Sequence, residues 1–372
     1  MSAGVQKSLS RRSFLSYGAA GLLAATVRPG LASASMSIRA VDRLVLTSVI
    51  DNATFGPFLD NLTLPGMRVI RAGNGLRPGY TRMSPHTLMA EFGLSVLAES
   101  TRDNQNRTVL VDFGYSAEVM KNNLMLLSID PASIDAAVLS HGHLDHYGGF
   151  PGVFGETATG PRRVPLIVGG EETFCERVAQ VGTPPPVMGT LDREGLKRAG
   201  FTAQIKSEPA VIADHAFTTG VIPLRSAERT AIPTQMRPGV GCDRALLSAP
   251  KRDAVQIADD GEHELATCYV VKGLGLVVIA SCSHRGVLNS VRRAQAVSGV
   301  GKVHAVVGGF HLVKPRTEDE ARDTVAEFVK IDPSYIMPMH CSGEVFIAEA
   351  LRVMPQKLIR SYVGSRFEFA VS

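Results

Sequence analysis

The chain has 372 residues and a formal charge of +4. Lys7, Arg11, Arg12 and Arg28 all sit in the first 34 residues, which hold no acid, so the rest of the chain is close to neutral. Near-neutral net charge gives no support for binding nucleic acid or an anionic membrane, both of which need a retained basic surface, and neither is expected as a partner.

In chain order, Ser10-Arg11-Arg12-Ser13-Phe14-Leu15 precedes an apolar, small-residue stretch from Tyr17 to Val27, and Ala32-Ser33-Ala34 supplies an A-x-A cleavage pattern. Residues 1–34 therefore read as a twin-arginine signal peptide, addressed to the twin-arginine translocation machinery and to a periplasmic or secreted destination. The apolar stretch is far short of the roughly 20 residues a membrane span needs. Residues 35–372 are expected to form one domain.

Apolar, β-branched runs predict strands over Leu44 to Ile50, Leu94 to Ala98, Val109 to Asp112 and Asp135 to Leu139, with a helix over Ala117 to Leu127. From about 155 to 265 Gly, Pro and charge become common, so a loop-rich insertion is expected there, carrying a helix over Glu171 to Val181. Ala266 to Val271 and Leu276 to Ala280 flank a glycine-containing turn and read as a hairpin. A helix over Arg285 to Val297, a strand over Val303 to Val307 and a helix opened by a Thr317/Glu320 capping box follow. The strand Tyr335 to Met339 hands over to a helix over Glu344 to Val353, with Ser342 as its expected cap. Strands and helices alternating in this way suit two sheets packed face to face between helix layers.

His141-Gly142-His143-Leu144-Asp145-His146 carries the chemistry. It puts three imidazoles and a carboxylate at the end of a predicted core strand, where without an ion they would form an uncompensated polar cluster. Imidazole and carboxylate suit a borderline divalent ion: zinc, with iron and manganese as alternatives, in one or two copies. In an extended segment His141, His143 and Asp145 would share one face and His146 the other. That division would give one ion to His141 and His143 and a second to Asp145 and His146. His284 and His340 each follow an apolar strand just before a helix and are expected to complete the ligand set. His311, in a Gly-Gly-Phe-His turn, reads equally as ligand, substrate contact or support. Asp112 is expected to orient a ligand histidine through its other ring nitrogen. His86, His215, His263 and His304 read as structural or surface residues.

The histidine segment resembles the signature of the metallo-β-lactamase superfamily. The run from Thr108 to Gly114, Lys121 to Leu124, Cys282 to Gly286, Gly308 to Leu312 and Met339 to Gly343 are similar to its 7,8-dihydropterin-6-methyl-4-(β-D-ribofuranosyl)aminobenzene-5′-phosphate synthase branch. The resemblance implies an α/β, four-layer αβ/βα sandwich. Two departures stand out. Where many members place a histidine after the insertion, this chain has Thr218 to Pro223, and where many place a bridging aspartate it has Cys282-Ser283-His284. One tight ion with a weaker second is thus as compatible as a symmetric pair.

Cys175, Cys242, Cys268, Cys282 and Cys341 are an odd number, so at least one is unpaired within the chain. Cys282 and Cys341 read as small packing residues rather than as a disulfide, with thiolate ligation kept open. The expected chemistry is hydrolysis of a small ester, lactone, amide or phosphate-containing compound by a metal-activated water, with Asp145 beside that water. The alternatives are the branch's transferase reaction and a non-catalytic metal- or ligand-binding protein. Arg225, Arg285 and Lys314 lie near the resembling blocks and could hold an anionic group, but as lone charges they read as solvated surface and none is singled out.

Overall fold

Along the strand Gln105–Val111, Val109 and Val111 face one way and Leu110 the other, and all three are buried. The same holds in Gly275–Ser281, where Val277 and Ile279 point one way and Leu276 and Val278 the other. Strands apolar on both faces must be covered on both sides. Here the inner faces of two sheets meet in one core that includes Leu44, Leu46, Val109, Val111, Val277, Ile279, Ala305 and Val307. Each such aliphatic side chain contributes on the order of 1.5–3 kcal/mol when fully buried.

The computed structural model describes residues 36–55, 59–71, 86–158 and 163–371; the expected signal peptide lies outside them. Nine strands form the first sheet, in the order Phe201–Ile205, Val164–Val168, Ala136–Val138, Gln105–Val111, Ser95–Arg102, Arg43–Ile50, Arg366–Ala370, Met67–Ile70 and Leu62–Leu64. Six strands form the second, in the order Ala210–Ile212, Ala216–Thr218, Thr267–Val271, Gly275–Ser281, Val303–Gly309 and Tyr335–Met339. The helix Ala117–Leu126 covers the outer face of the first sheet through Met120 and Leu124. The helices Val287–Ser298, Glu318–Ile331 and Glu344–Val353 cover the second. The result is the four-layer αβ/βα sandwich.

Most predicted elements fall within a residue or two of their places, and Thr317 and Glu320 form the expected capping box. The helix Glu344–Val353 is capped instead by Gly343, with no side-chain cap. Ser342 turns its hydroxyl back to the Met339 carbonyl at 2.7 Å. The expected helix over Glu171 to Val181 is a short 3-10 turn, Glu171–Phe174, followed by the strand Glu176–Ala179. That strand pairs antiparallel with Thr234–Arg237 from the presumed loop region, and a Cys175–Cys242 disulfide joins the two stretches. Pairing with a distant segment overrode the local helical pattern. With Ile257–Ala258 and Val187–Gly189 these strands make a third, four-stranded sheet inside the insertion.

Candidate metal centre

Four strands of the sandwich stop at one edge, and residues at or just after each stop turn sharply. Asp112, Ser281, Ser283, His311 and His340 all take left-handed backbone conformations, with φ of 58°, 55°, 62°, 43° and 46°. Such turns are costly for residues with a Cβ and cluster where surrounding structure fixes them. They bring ligand-type side chains from four separate segments to one place.

The histidine segment is not extended. The strand Ala136–Val138 ends before it, and Leu144–Tyr147 is a helical turn with His143 at its N-cap. The face division expected from an extended segment does not hold: the His141 and His146 rings lie 4.2 Å apart, centroid to centroid. Gly142 fits only because it lacks a side chain, since a Cβ there would meet the Thr173 carbonyl oxygen at 2.3 Å.

Six sequence-predicted ligands fall into two groups. Nitrogen atoms of His141, His143 and His284 lie within 4.8 Å of one another, and so do ligand atoms of Asp145, His146 and His340. Asp112, fully buried, accepts from Ser140 N at 2.7 Å and from Ser140 Oγ at 2.8 Å. Its Oδ2 also takes His146 Nδ1 at 2.7 Å, so Asp112 orients His146 as expected. His284 Nδ1 is 2.9 Å from the Ala231 carbonyl, and His340 Nδ1 is 3.2 Å from Asn52 Oδ1. His311 Nδ1 rests 3.6 Å from Cys282 Sγ. In His146, His284 and His311 Nε2 is buried without a hydrogen-bond partner, and His340 Nε2, also buried, faces the Asp145 carboxylate. One nitrogen tied and the other bare is the arrangement a metal-binding imidazole needs, and the donor set suits a divalent ion.

The electrostatics agree. Burial, followed by the neighbouring His146, His143 and His284, holds His141 well below the usual imidazole range; burial and His311 do the same to His284. Both are therefore neutral and offer a lone pair. Asp145 stays ionised although burial opposes it, because His146 and His340 face it. His340 Nε2 is 3.2 Å from Asp145 Oδ2 and His146 Nε2 is 3.7 Å from it.

Sequence reading missed the support behind these groups. Arg177 is fully buried, binds Asp259 Oδ2 through Nε at 2.9 Å and donates to the Cys175 carbonyl at 2.7 Å. Asp259, held well below the carboxylate range by Arg177 and His143 against burial, lies 3.8 Å from His143 Nε2. That nitrogen is 3.1 Å from Thr234 Oγ1. His263, read as structural, braces the histidine loop by accepting from Gly142 N at 3.2 Å. Glu264, pushed up to about 7 by burial, accepts from His284 N and Arg285 N at 2.8 and 2.7 Å. Asp51, pushed up to about 6 by burial, accepts from His340 N at 2.8 Å.

A cleft of about 570 Å³ opens beside His311 and His340 and is also lined by Asp51, Phe92, Lys314 and Arg360. Of the three cations named from the sequence, Lys314 lines this cleft. The Arg285 guanidinium is committed to the carbonyls of Ile222 and Asp260, at 2.6 and 2.9 Å.

Fold and site together define a metallo-β-lactamase-type protein with a histidine-rich centre at the sheet edge. The family profile described as the metallo-beta-lactamase superfamily matches residues 90–201, which contain the histidine loop. The protein Tm1679, described as a metal-dependent hydrolase of the beta-lactamase superfamily, superposes with a TM-score of 0.61 at 22% identity, over 87% of this chain and 98% of that one. The chain thus has the metallo-β-lactamase fold, and its residues 90–201 match the superfamily's model. It is similar to the 7,8-dihydropterin-6-methyl-4-(beta-D-ribofuranosyl)-aminobenzene-5'-phosphate synthase of Methanocaldococcus jannaschii, at 29% identity over 68% of this chain and 82% of the relative. An uncharacterized protein of the same organism is 27% identical over 68% of this chain and 85% of its own length.

Proposed function

We propose that the protein is an exported, metal-dependent hydrolase of small ester, lactone, amide or phosphate-containing compounds. The observation that carries this reading is the set of bare, buried Nε2 atoms on His146, His284 and His311, with ionised Asp145 grouped with His146 and His340, and with His311 and His340 lining a cleft. His141, His143 and His284 would hold one ion, and Asp145, His146 and His340 a second. A divalent ion so held supplies Lewis acidity that lowers the pKa of water and polarises a substrate oxygen. Asp145, with about a tenth of its side chain exposed, can orient a water beside it and accept its proton. Asp112 keeps the His146 proton on Nδ1, so that Nε2 stays free as an acceptor.

Export is supported by the arginine pair and by the Cys175–Cys242 disulfide, a bond that persists in oxidising compartments. A second reading, transfer of a pterin diphosphate to an arylamine ribotide, is favoured by the name of the 29% identical relative. Export weighs against it, since that activated substrate belongs to the cytoplasm.

Mature protein loaded with zinc, iron(II) or manganese should be assayed against a panel of esters, lactones, amides and phosphate esters, alongside the pterin condensation. Hydrolysis that chelator removes and metal restores is the expected result. Condensation without hydrolysis would replace the reading with the transferase, and metal binding with neither activity would replace it with a binding protein.

A further inference from the structure

Apart from the contact of Cys282 Sγ with His311 Nδ1, Cys282 and Cys341 take no part in the roles above. They sit just past the ends of the strands Gly275–Ser281 and Tyr335–Met339, both buried, with their sulfurs 3.1 Å apart. Cys282 Sγ is central to the whole cluster. It lies within 4.8 Å of ring nitrogens of His141 and His146, within the same distance of His284 and His311, and likewise of His340 together with Cys341 Sγ. It therefore borders both ligand groups, and among the described residues no carboxylate is grouped with both.

The backbone is shaped around these sulfurs. Ser281 and Ser283, on either side of Cys282, both take left-handed conformations that turn it inward. Gly309, between them and Cys341, is obligatory: a Cβ there would meet Cys341 Sγ at 2.8 Å and the Ser281 carbonyl oxygen at 2.5 Å. A thiol that serves packing alone behaves as a small hydrophobe among apolar neighbours. These two face imidazoles with bare nitrogens instead, and Cys268, buried within an apolar cluster, shows the contrast.

We propose that Cys282 and Cys341 are thiolate ligands of the metal centre, Cys282 at the point shared by both ligand groups and Cys341 beside His340. The centre then takes a thiophilic ion such as zinc in preference to manganese, because thiolate is a soft ligand. Each thiol gives its proton to solvent as its sulfur binds the ion, with no change of oxidation state. This inference rests on the metal-centre reading and adds sulfur to its ligand set.

The test is the electronic spectrum of full-length mature protein loaded with cobalt(II) under anaerobic, reducing conditions. A strong near-ultraviolet thiolate-to-cobalt charge-transfer band is expected, largely lost in Cys282→Ser, weakened in Cys341→Ser and retained in Asp145→Asn. Alkylation of the native wild-type protein, read by peptide mass, gives a second measurement should the serine variants fail to fold. Zinc should slow labelling of Cys282 and Cys341 by roughly 10-fold or more relative to chelator-stripped protein, as expected when thiolates are engaged by a metal. Stoichiometric cobalt without the sulfur band, or a Cys282–Cys341 disulfide in ion-loaded protein, overturns the inference while leaving the hydrolase reading standing. Failure of the wild-type protein to bind any metal would remove both.

Discussion

Replacing Asp112 with Asn keeps the side-chain volume and removes one acceptor. Two N–H donors converge on this carboxylate, Ser140 N at 2.7 Å on Oδ1 and His146 Nδ1 at 2.7 Å on Oδ2. An asparagine has a single carbonyl oxygen, so one of the two must face an NH2 group. If Ser140 N keeps its acceptor, His146 has to carry its proton on Nε2, pointing it at the metal position. If His146 keeps its acceptor, a backbone donor beside the histidine loop is left opposed by another donor, in a place with no water-accessible surface. Loss of an orienting carboxylate of this kind weakens metal affinity by about 10- to 100-fold, or roughly 1.4–2.8 kcal/mol. The buried charge-assisted hydrogen bond adds on the order of 1.5–3 kcal/mol of folding stability that the variant forfeits. Zinc affinity measured by chelator competition, alongside urea unfolding of the apo form, reads both quantities. A folded Asp112→Asn protein with affinity within about twofold of wild type would refute the claim that Asp112 sets the His146 tautomer.

Asp145→Asn should cut hydrolysis by roughly 100-fold while leaving at least one ion bound, because His141, His143 and His284 remain; retention of both rate and metal would make Asp145 merely structural, and loss of all metal would mean the two ligand groups are not independent. Arg177→Leu strands Asp259 as an unpaired buried charge and should cost about 3–5 kcal/mol, read from the denaturant midpoint. A cost below about 1 kcal/mol would show that the pair does not brace the His143 side of the centre. Substituting Lys for both Arg11 and Arg12 should hold the precursor in the cytoplasm, as seen by fractionation and blotting, and normal delivery of mature protein would reject twin-arginine export.

The part of the site legible in the sequence is the part that is contiguous or that follows an apolar strand. His141, His143, Asp145 and His146 announce themselves by spacing, while His284 and His340 stand just past runs that are apolar on both faces. Asp259, Arg177 and Glu264 carry no such signal, because their meaning depends on contacts that the insertion, with its small four-stranded sheet, makes with the metal-centre segments. That sheet is made of short strands paired over long separations, such as Arg177 opposite Met236, and local pattern says little about such pairings. The same cause hid the disulfide and produced the expected helix over Glu171 to Val181. The convergence of His141 with His146 was missed for a different reason: alternation was applied to residues that belong to a helical turn, where neighbours share a face at another period.

The central claim is that the histidine cluster is a metal centre, and elemental analysis of the purified protein, compared with His143→Ala, tests it most directly. The account predicts between one and two equivalents of zinc, iron or manganese in the wild type, as six ligand positions in two groups require, and a clear loss in the variant. Less than about a tenth of an equivalent in the wild type, or full metal retained in folded His143→Ala, would contradict it, given the tight binding expected of such ligand sets.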